Sequence, residues 1–76
     1  MFDSRLIGQV IQQFRNEKGL TQEELSGLAG LDRTHYSKIE RGLRCPTLET
    51  LFKISYALHV PPHKLIKAIE DVLLDD

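Results

Sequence analysis

Cysteine is nearly absent from this chain. Cys45 is the single one among 76 residues, so no internal disulfide can form, which fits a reducing, cytoplasmic setting. Long apolar runs and a signal-peptide pattern are missing as well, and this argues against secretion and against a membrane-spanning helix. The histidines at 35, 59 and 63 show no recognised metal-ligand spacing with Cys45. No nucleophile–base arrangement, glycine-rich phosphate loop or carboxylate pair stands out, and so small a chain offers little pocket. Neither catalysis nor a metal or cofactor is expected. Repeats and low-complexity linkers are also lacking, so residues 1–76 are expected to form a single domain.

A basic excess is missing too, but only on average. The formal net charge is −1. Residues 1–69 hold all 10 Lys and Arg and 7 of the 11 Asp and Glu, and the remaining four acidic residues fall in the last seven positions, EDVLLDD. The body is therefore mildly basic and the acidity sits in the tail. Net charge alone is weak evidence for a nucleic-acid partner, because neutralising phosphates depends on where the cations stand. A chain of this size without disulfide or metal needs close helix packing or a partner subunit.

The stretch TQEELSGLAGLDRTHYSKIERG, residues 21–42, organises the rest. Thr21 is a good N-cap, and Glu24 three residues later completes a capping box. Leu25, Leu28 and Ala29 then recur at helical spacing and predict one apolar face. Gly30 suits the left-handed conformation that ends a helix, and Asp32 is placed to cap the next one. That second helix, residues 33–41, turns Tyr36 and Ile39 inward and Arg33, Thr34, Ser37 and Lys38 outward, and Gly42 ends it. Two short helices, a tight glycine-containing turn and an outward face of hydrogen-bonding side chains describe a helix-turn-helix.

Three further helices complete the reading. Residues 4–18, capped by Asp3 or Ser4, carry Leu6, Ile7, Val10, Ile11 and Phe14 on one face. Thr47 caps a fourth helix with Leu48, Leu51, Phe52, Ile54 and Leu58 as its expected apolar side. Pro61 and Pro62 break the chain, and Pro62 suits the first turn of a fifth helix near residues 63–74. Its apolar residues Leu65, Ile66, Ile69, Val72 and Leu73 recur at i, i+3, i+4 and i+7. They serve either as packing onto the first and fourth helices or as a self-complementary patch across a two-fold axis. The expected fold is all-α, a bundle of five helices.

The run GLTQEELSGLAGLDRTHYSKIERG, followed by PTLETLFKISYALHV, resembles the Cro/repressor-type (XRE) helix-turn-helix family over residues 6–65, with IERG among the more specific parts. Within it, LDRT and GLRCPTLETL are most similar to the controller proteins of restriction–modification systems. The resemblance implies a five-helix, lambda-repressor-like DNA-binding domain. It also implies dimer contacts in the last helix, which selects Ile69, Val72 and Leu73 as interface residues. It further implies an ion pair between Arg15 and Glu40, joining the first helix to the end of the recognition helix. In two places the chain departs from the family pattern. Tyr36 stands where an aliphatic residue is usual, so its hydroxyl must find a partner, and Ser26 replaces a common alanine.

For the DNA surface, Arg33 lies at the start of the recognition helix, the part that meets base edges in the major groove. A guanidinium there can make the bidentate contact to guanine. Thr34 offers a hydroxyl and a methyl, Lys38 can reach a base or a phosphate, and Ser37 is small enough for close approach. Thr21 and Gln22 occupy a helix N-terminus, which favours an anion, and Gln22 matches a family position that contacts phosphate. His35 and Arg44 complete the phosphate candidates. The expected function is a sequence-specific transcriptional regulator acting as a homodimer on a near-palindromic operator of double-stranded DNA, with half-sites about 34 Å apart. Likeness to controller proteins implies control of a restriction endonuclease gene and of the protein's own promoter. Alternatives are a phage-type repressor, an antitoxin with a protein partner, or a protein-interaction module that kept the fold without operator binding.

Overall fold

The computed structural model describes residues 2–75. Five helices and no strand form among them: α1 Ser4–Glu17, α2 Gln22–Ala29, α3 Arg33–Glu40, α4 Leu48–Ala57 and α5 Pro62–Leu73. Local chemistry sets most of their ends. The Asp3 carboxylate accepts from Arg5 N at 2.9 Å and starts α1. Thr21 and Glu24 exchange reciprocal hydrogen bonds of 3.0 and 2.9 Å, a complete capping box at the start of α2. Asp32 accepts from His35 N at 3.1 Å, and Thr47 from Thr50 N at 3.1 Å. The start of α5 is different: Pro61 precedes it, Pro62 occupies its first turn, and no side chain caps it.

Each helix contributes to one interior. Ile7, Val10 and Ile11 of α1 meet Leu25 and Ala29 of α2, Tyr36 and Ile39 of α3, Ile54, Ala57 and Leu58 around α4, and Leu65 and Ile69 of α5. The main helix pairings are α1 with α3 and α5, α2 with α3 and α4, and α4 with α5. The closest approach is at Gly8. A β-carbon there would lie 2.4 Å from the carbonyl oxygens of both Ile39 and Glu40. The backbone of α1 thus rests directly on the last turn of α3, and only glycine fits.

Two expected apolar faces are rotated from where the sequence put them. Leu28 is 64% exposed, whereas Ser26 is buried. At about 100° per residue, Leu25, Ala29 and Ser26 span one arc and Leu28 lies on its far side. Packing between α3 and α4 selects the arc that contains the serine, whose hydroxyl donates to the Glu23 carbonyl. On α4 the inward arc runs through Ala57, Ile54, Leu58, Leu51 and Ser55, leaving Leu48 and Phe52 exposed. Phe52 instead meets Tyr56 edge to face, with ring centroids 6.3 Å apart.

Candidate nucleic-acid interface

The recognition helix is fixed by its last residue. The Glu40 carboxylate, almost fully buried, accepts from Arg15 Nε at 2.6 Å and Arg15 Nη2 at 3.1 Å. It also accepts from Gln22 Nε2 at 2.9 Å and from the Tyr36 hydroxyl one turn earlier. A carboxylate has about four acceptor positions, and this one fills them from α1, α2 and α3 together. Arg15 also donates to the Leu20 carbonyl at 2.7 Å. Among the described residues no buried side-chain nitrogen or oxygen lacks a partner.

The ionisation of this cluster follows from its contacts. Hydrogen bonding to Glu40 holds the Arg15 guanidinium above its ordinary value, against the effect of burial. Burial first, and then the neighbouring carboxylate, pushes Tyr36 well above the usual phenol range, so its hydroxyl stays protonated and donates. The partner that Tyr36 was expected to need is therefore Glu40. The bidentate Arg15–Glu40 pair adds direction to charge. Together these contacts hold α3 at its C-terminal end and leave its outer surface unobstructed.

That outer surface carries Arg33, Thr34, Ser37 and Lys38. Arg33 and Thr34 are exposed, while Ser37 and Lys38 are half-buried. The four share one side of α3, away from Tyr36 and Ile39, with Arg33 at its border next to Glu40. Arg41, the residue that closes the helix, falls at the centre of the same arc and is not among the residues the sequence singles out. The signal was present: Arg41 stands four residues after Ser37 and seven after Thr34, the spacing of one helical stripe. The Arg33 guanidinium lies 4.0 Å from the exposed carboxylate of Glu23.

The phosphate candidates are placed less uniformly. The backbone N–H of Thr21 is occupied by Glu24 and its hydroxyl accepts from Glu24 N. Gln22 gives one amide hydrogen to Glu40 and is half-buried. His35 and Arg44 are exposed, His35 to the side of the Arg33 stripe and Arg44 in the segment after α3.

On α5 the structure corrects one position. Ile69 is 6% exposed and belongs to the interior with Leu65. Four residues, just over one turn, separate the two, so both point along the same inward line, and a charge at Ile69 would damage the core before any interface. Val72 is exposed and Leu73 half-buried, and both flank that line with Ile66. A depression of about 360 Å³ runs alongside, lined by Phe2, Ile66, Ile69, Glu70, Leu73 and Leu74. No helix among the described residues is long and apolar enough to cross a membrane.

Comparison with known proteins matches this arrangement. The helix-turn-helix family model aligns with residues 11–65. The control protein C.BamHI of Bacillus amyloliquefaciens is 44% identical over 62 residues, covering 80% of this chain and 76% of its own length. The crystal structure of the restriction–modification controller protein C.AhdI from Aeromonas hydrophila superposes with a TM-score of 0.80 at 38% identity, covering 86% of this chain and 98% of that one. The regulator SinR, described as the master regulator for biofilm formation and solved in complex with DNA, superposes with a TM-score of 0.73 at 43% identity, covering 79% and 97% of the two chains. SinR of Bacillus subtilis is longer than this protein, which spans 56% of its length. With the motif, the five helices and these relatives in agreement, the chain belongs to the helix-turn-helix family of DNA-binding transcriptional regulators, of the Cro/repressor type.

Proposed function

We propose that this protein binds a near-palindromic operator as a homodimer and acts as the controller of a restriction–modification system. The observation that carries the reading is the arc of Arg33, Thr34, Ser37 and Lys38, held outward on a helix whose far end is fixed by the Glu40 network. Arg33 reads guanine through its two-pronged donor geometry, Thr34 and Lys38 read neighbouring positions, and Ser37 lets the helix approach. Gln22 still has a second amide hydrogen for a phosphate, and Thr21, His35 and Arg44 border the same surface. Val72 and Leu73, with Ile66 beside them, form the flank through which two protomers meet. Likeness to C.BamHI and C.AhdI supports the controller role.

Selection from random duplex DNA tests the operator. The expected product is a near-palindrome with half-sites about one helical turn apart, and Arg33→Ala relaxes one base position per half-site with little change in thermal stability. Val72→Asp is expected to give folded monomers with weakened operator binding. A folded, dimeric protein that enriches no sequence would overturn operator recognition and favour a protein-interaction module.

A further inference from the structure

One side of α5 is neither buried nor purely apolar. His63, Ile66, Glu70 and Leu73 recur at i, i+3, i+7 and i+10, so at about 100° per residue they share an arc of roughly 80°. His63, Ile66 and Glu70 are exposed and Leu73 is half-buried. The stripe borders the hollow of about 360 Å³, whose other lining residues are Phe2, Ile69 and Leu74, and Glu70 is the one charged side chain there. Within the chain neither Glu70 nor His63 meets an opposite charge. Among the described residues the ion pairing of α5 is Lys67 with Asp71 at 2.5 Å.

Covering a carboxylate with apolar surface and no cation is costly. The flank through which two protomers meet therefore needs a cation opposite Glu70, and this chain carries one on the same stripe. Helix α5 is polarised along its length. His63, Lys64 and Lys67 lie in its first part, Glu70 and Asp71 in its second, and Asp75 just beyond. A second copy related by a two-fold axis perpendicular to the helix runs antiparallel, and sets the basic part of each helix against the acidic part of the other. Parallel pairing sets like charge against like, which is repulsive. An axis passing beside Ile66, midway between His63 and Glu70, brings each Glu70 opposite the partner's His63. We propose that Glu70 of each protomer pairs with the partner's His63 across an antiparallel contact between the two α5 helices, and that this reciprocal pair selects a second copy of this chain as the partner. Burial of Ile66 and Leu73 is non-directional, so the two polar pairs fix the register, and with it the separation of the two recognition helices. The inference rests on the homodimer reading above and deepens it.

Charge exchange tests the pairing. His63→Glu puts two carboxylates at each contact, and Glu70→Lys puts two cations there. Each variant alone is expected to dimerise roughly tenfold more weakly than wild type in sedimentation equilibrium, since two attractions become two repulsions. Both positions are exposed, and a carboxylate at the start of α5 and a cation in its last turn suit the helix dipole, so unfolding temperatures should not fall. Mixed in equal amounts, one of them carrying a heavy-isotope label, the two variants should form a heterodimer of near wild-type affinity in native mass spectrometry. Each contact then holds one charge of each sign. The double variant should dimerise with itself for the same reason and discriminate against wild type. Single variants that dimerise as wild type does would overturn the pairing and leave the homodimer standing. Weakened variants that fail to rescue each other would do the same. Wild-type protein that stays monomeric at every concentration, with and without operator DNA, would bring down the homodimer reading and this inference with it.

Discussion

The two ends of this chain's business, α3 and α5, are attached to the body by different physics. The recognition helix is held by directional contacts: four hydrogen bonds to one carboxylate and a backbone-to-backbone approach at Gly8. Helix α5 is held by area, with Leu65 and Ile69 buried, no side-chain cap and apolar flanks left in solvent. Hydrogen bonds lose their value over a few tenths of an ångström and a few tens of degrees. Apolar burial is non-directional and tolerates small displacement. A helix that reads bases needs the first kind of attachment. A helix that meets a second copy can use the second kind, since its exposed flank gains by being covered.

Two substitutions of similar cost separate these modes. Arg15→Met strands the buried Glu40 carboxylate, and breaking such a pair costs about 3–5 kcal/mol. That is a large share of the stability of so small a domain. Leu65→Ala leaves a cavity under α5 at a cost of about 2–5 kcal/mol. Denaturant unfolding should show both losses. Operator affinity corrected for the folded fraction should fall much further for Arg15→Met, because the recognition helix has lost its anchor. Equal affinities after that correction would mean that α3 needs no such fixing.

The same contrast explains what could be read from the chain beforehand. Caps at Thr21, Asp32 and Thr47 act within three or four residues, so they are visible in any window of the sequence. The outward arc of α3 follows from one helical period once Tyr36 and Ile39 are placed inside. Tertiary choices are another matter. Whether α2 turns Ser26 or Leu28 inward depends on where α3 and α4 stand, and both arcs contain Leu25. Gly8 looks like an ordinary weak point in a helix until α3 arrives against it. That Gln22 also donates to Glu40 is not legible, because the two stand 18 positions apart. The resemblance puts Ile69 at an interface, and period alone cannot divide one apolar stripe between a core and a second protomer.

Tyr36→Phe probes the directional side with a smaller change. The ring is fully buried, so packing is retained and only the hydroxyl is lost. Glu40 then has one acceptor position unfilled, and a hydrogen bond to a charged group contributes about 1.5–3 kcal/mol. Chemical denaturation should read that loss with an unchanged m-value. The anchoring from Arg15 and Gln22 remains, so base preference should survive, with affinity reduced only modestly. A shift in the selected operator sequence would mean that the phenol sets the angle of α3 as well as its stability.

The smallest effect expected is at the far end of α1, where the anchoring is a single exposed cap. The N–H of Arg5, then its side chain, hold the Asp3 carboxyl below its ordinary value of 3.8 despite some desolvation. A lowered folded-state value means that the ionised form is the one favoured by folding. The contribution of Asp3 is therefore fully present above the unfolded value and declines as pH falls from about 3.8 through the lower folded value. Asp3→Asn keeps an N-capping side chain but cannot titrate. Its stability should thus match the wild type more closely at pH 3 than at pH 6, and the pH profiles of urea unfolding should converge on the acid side. Profiles that stay parallel would show that the cap works through hydrogen bonding alone, with the charge of Asp3 contributing nothing to the start of the helix that carries Arg5, Gly8 and Arg15.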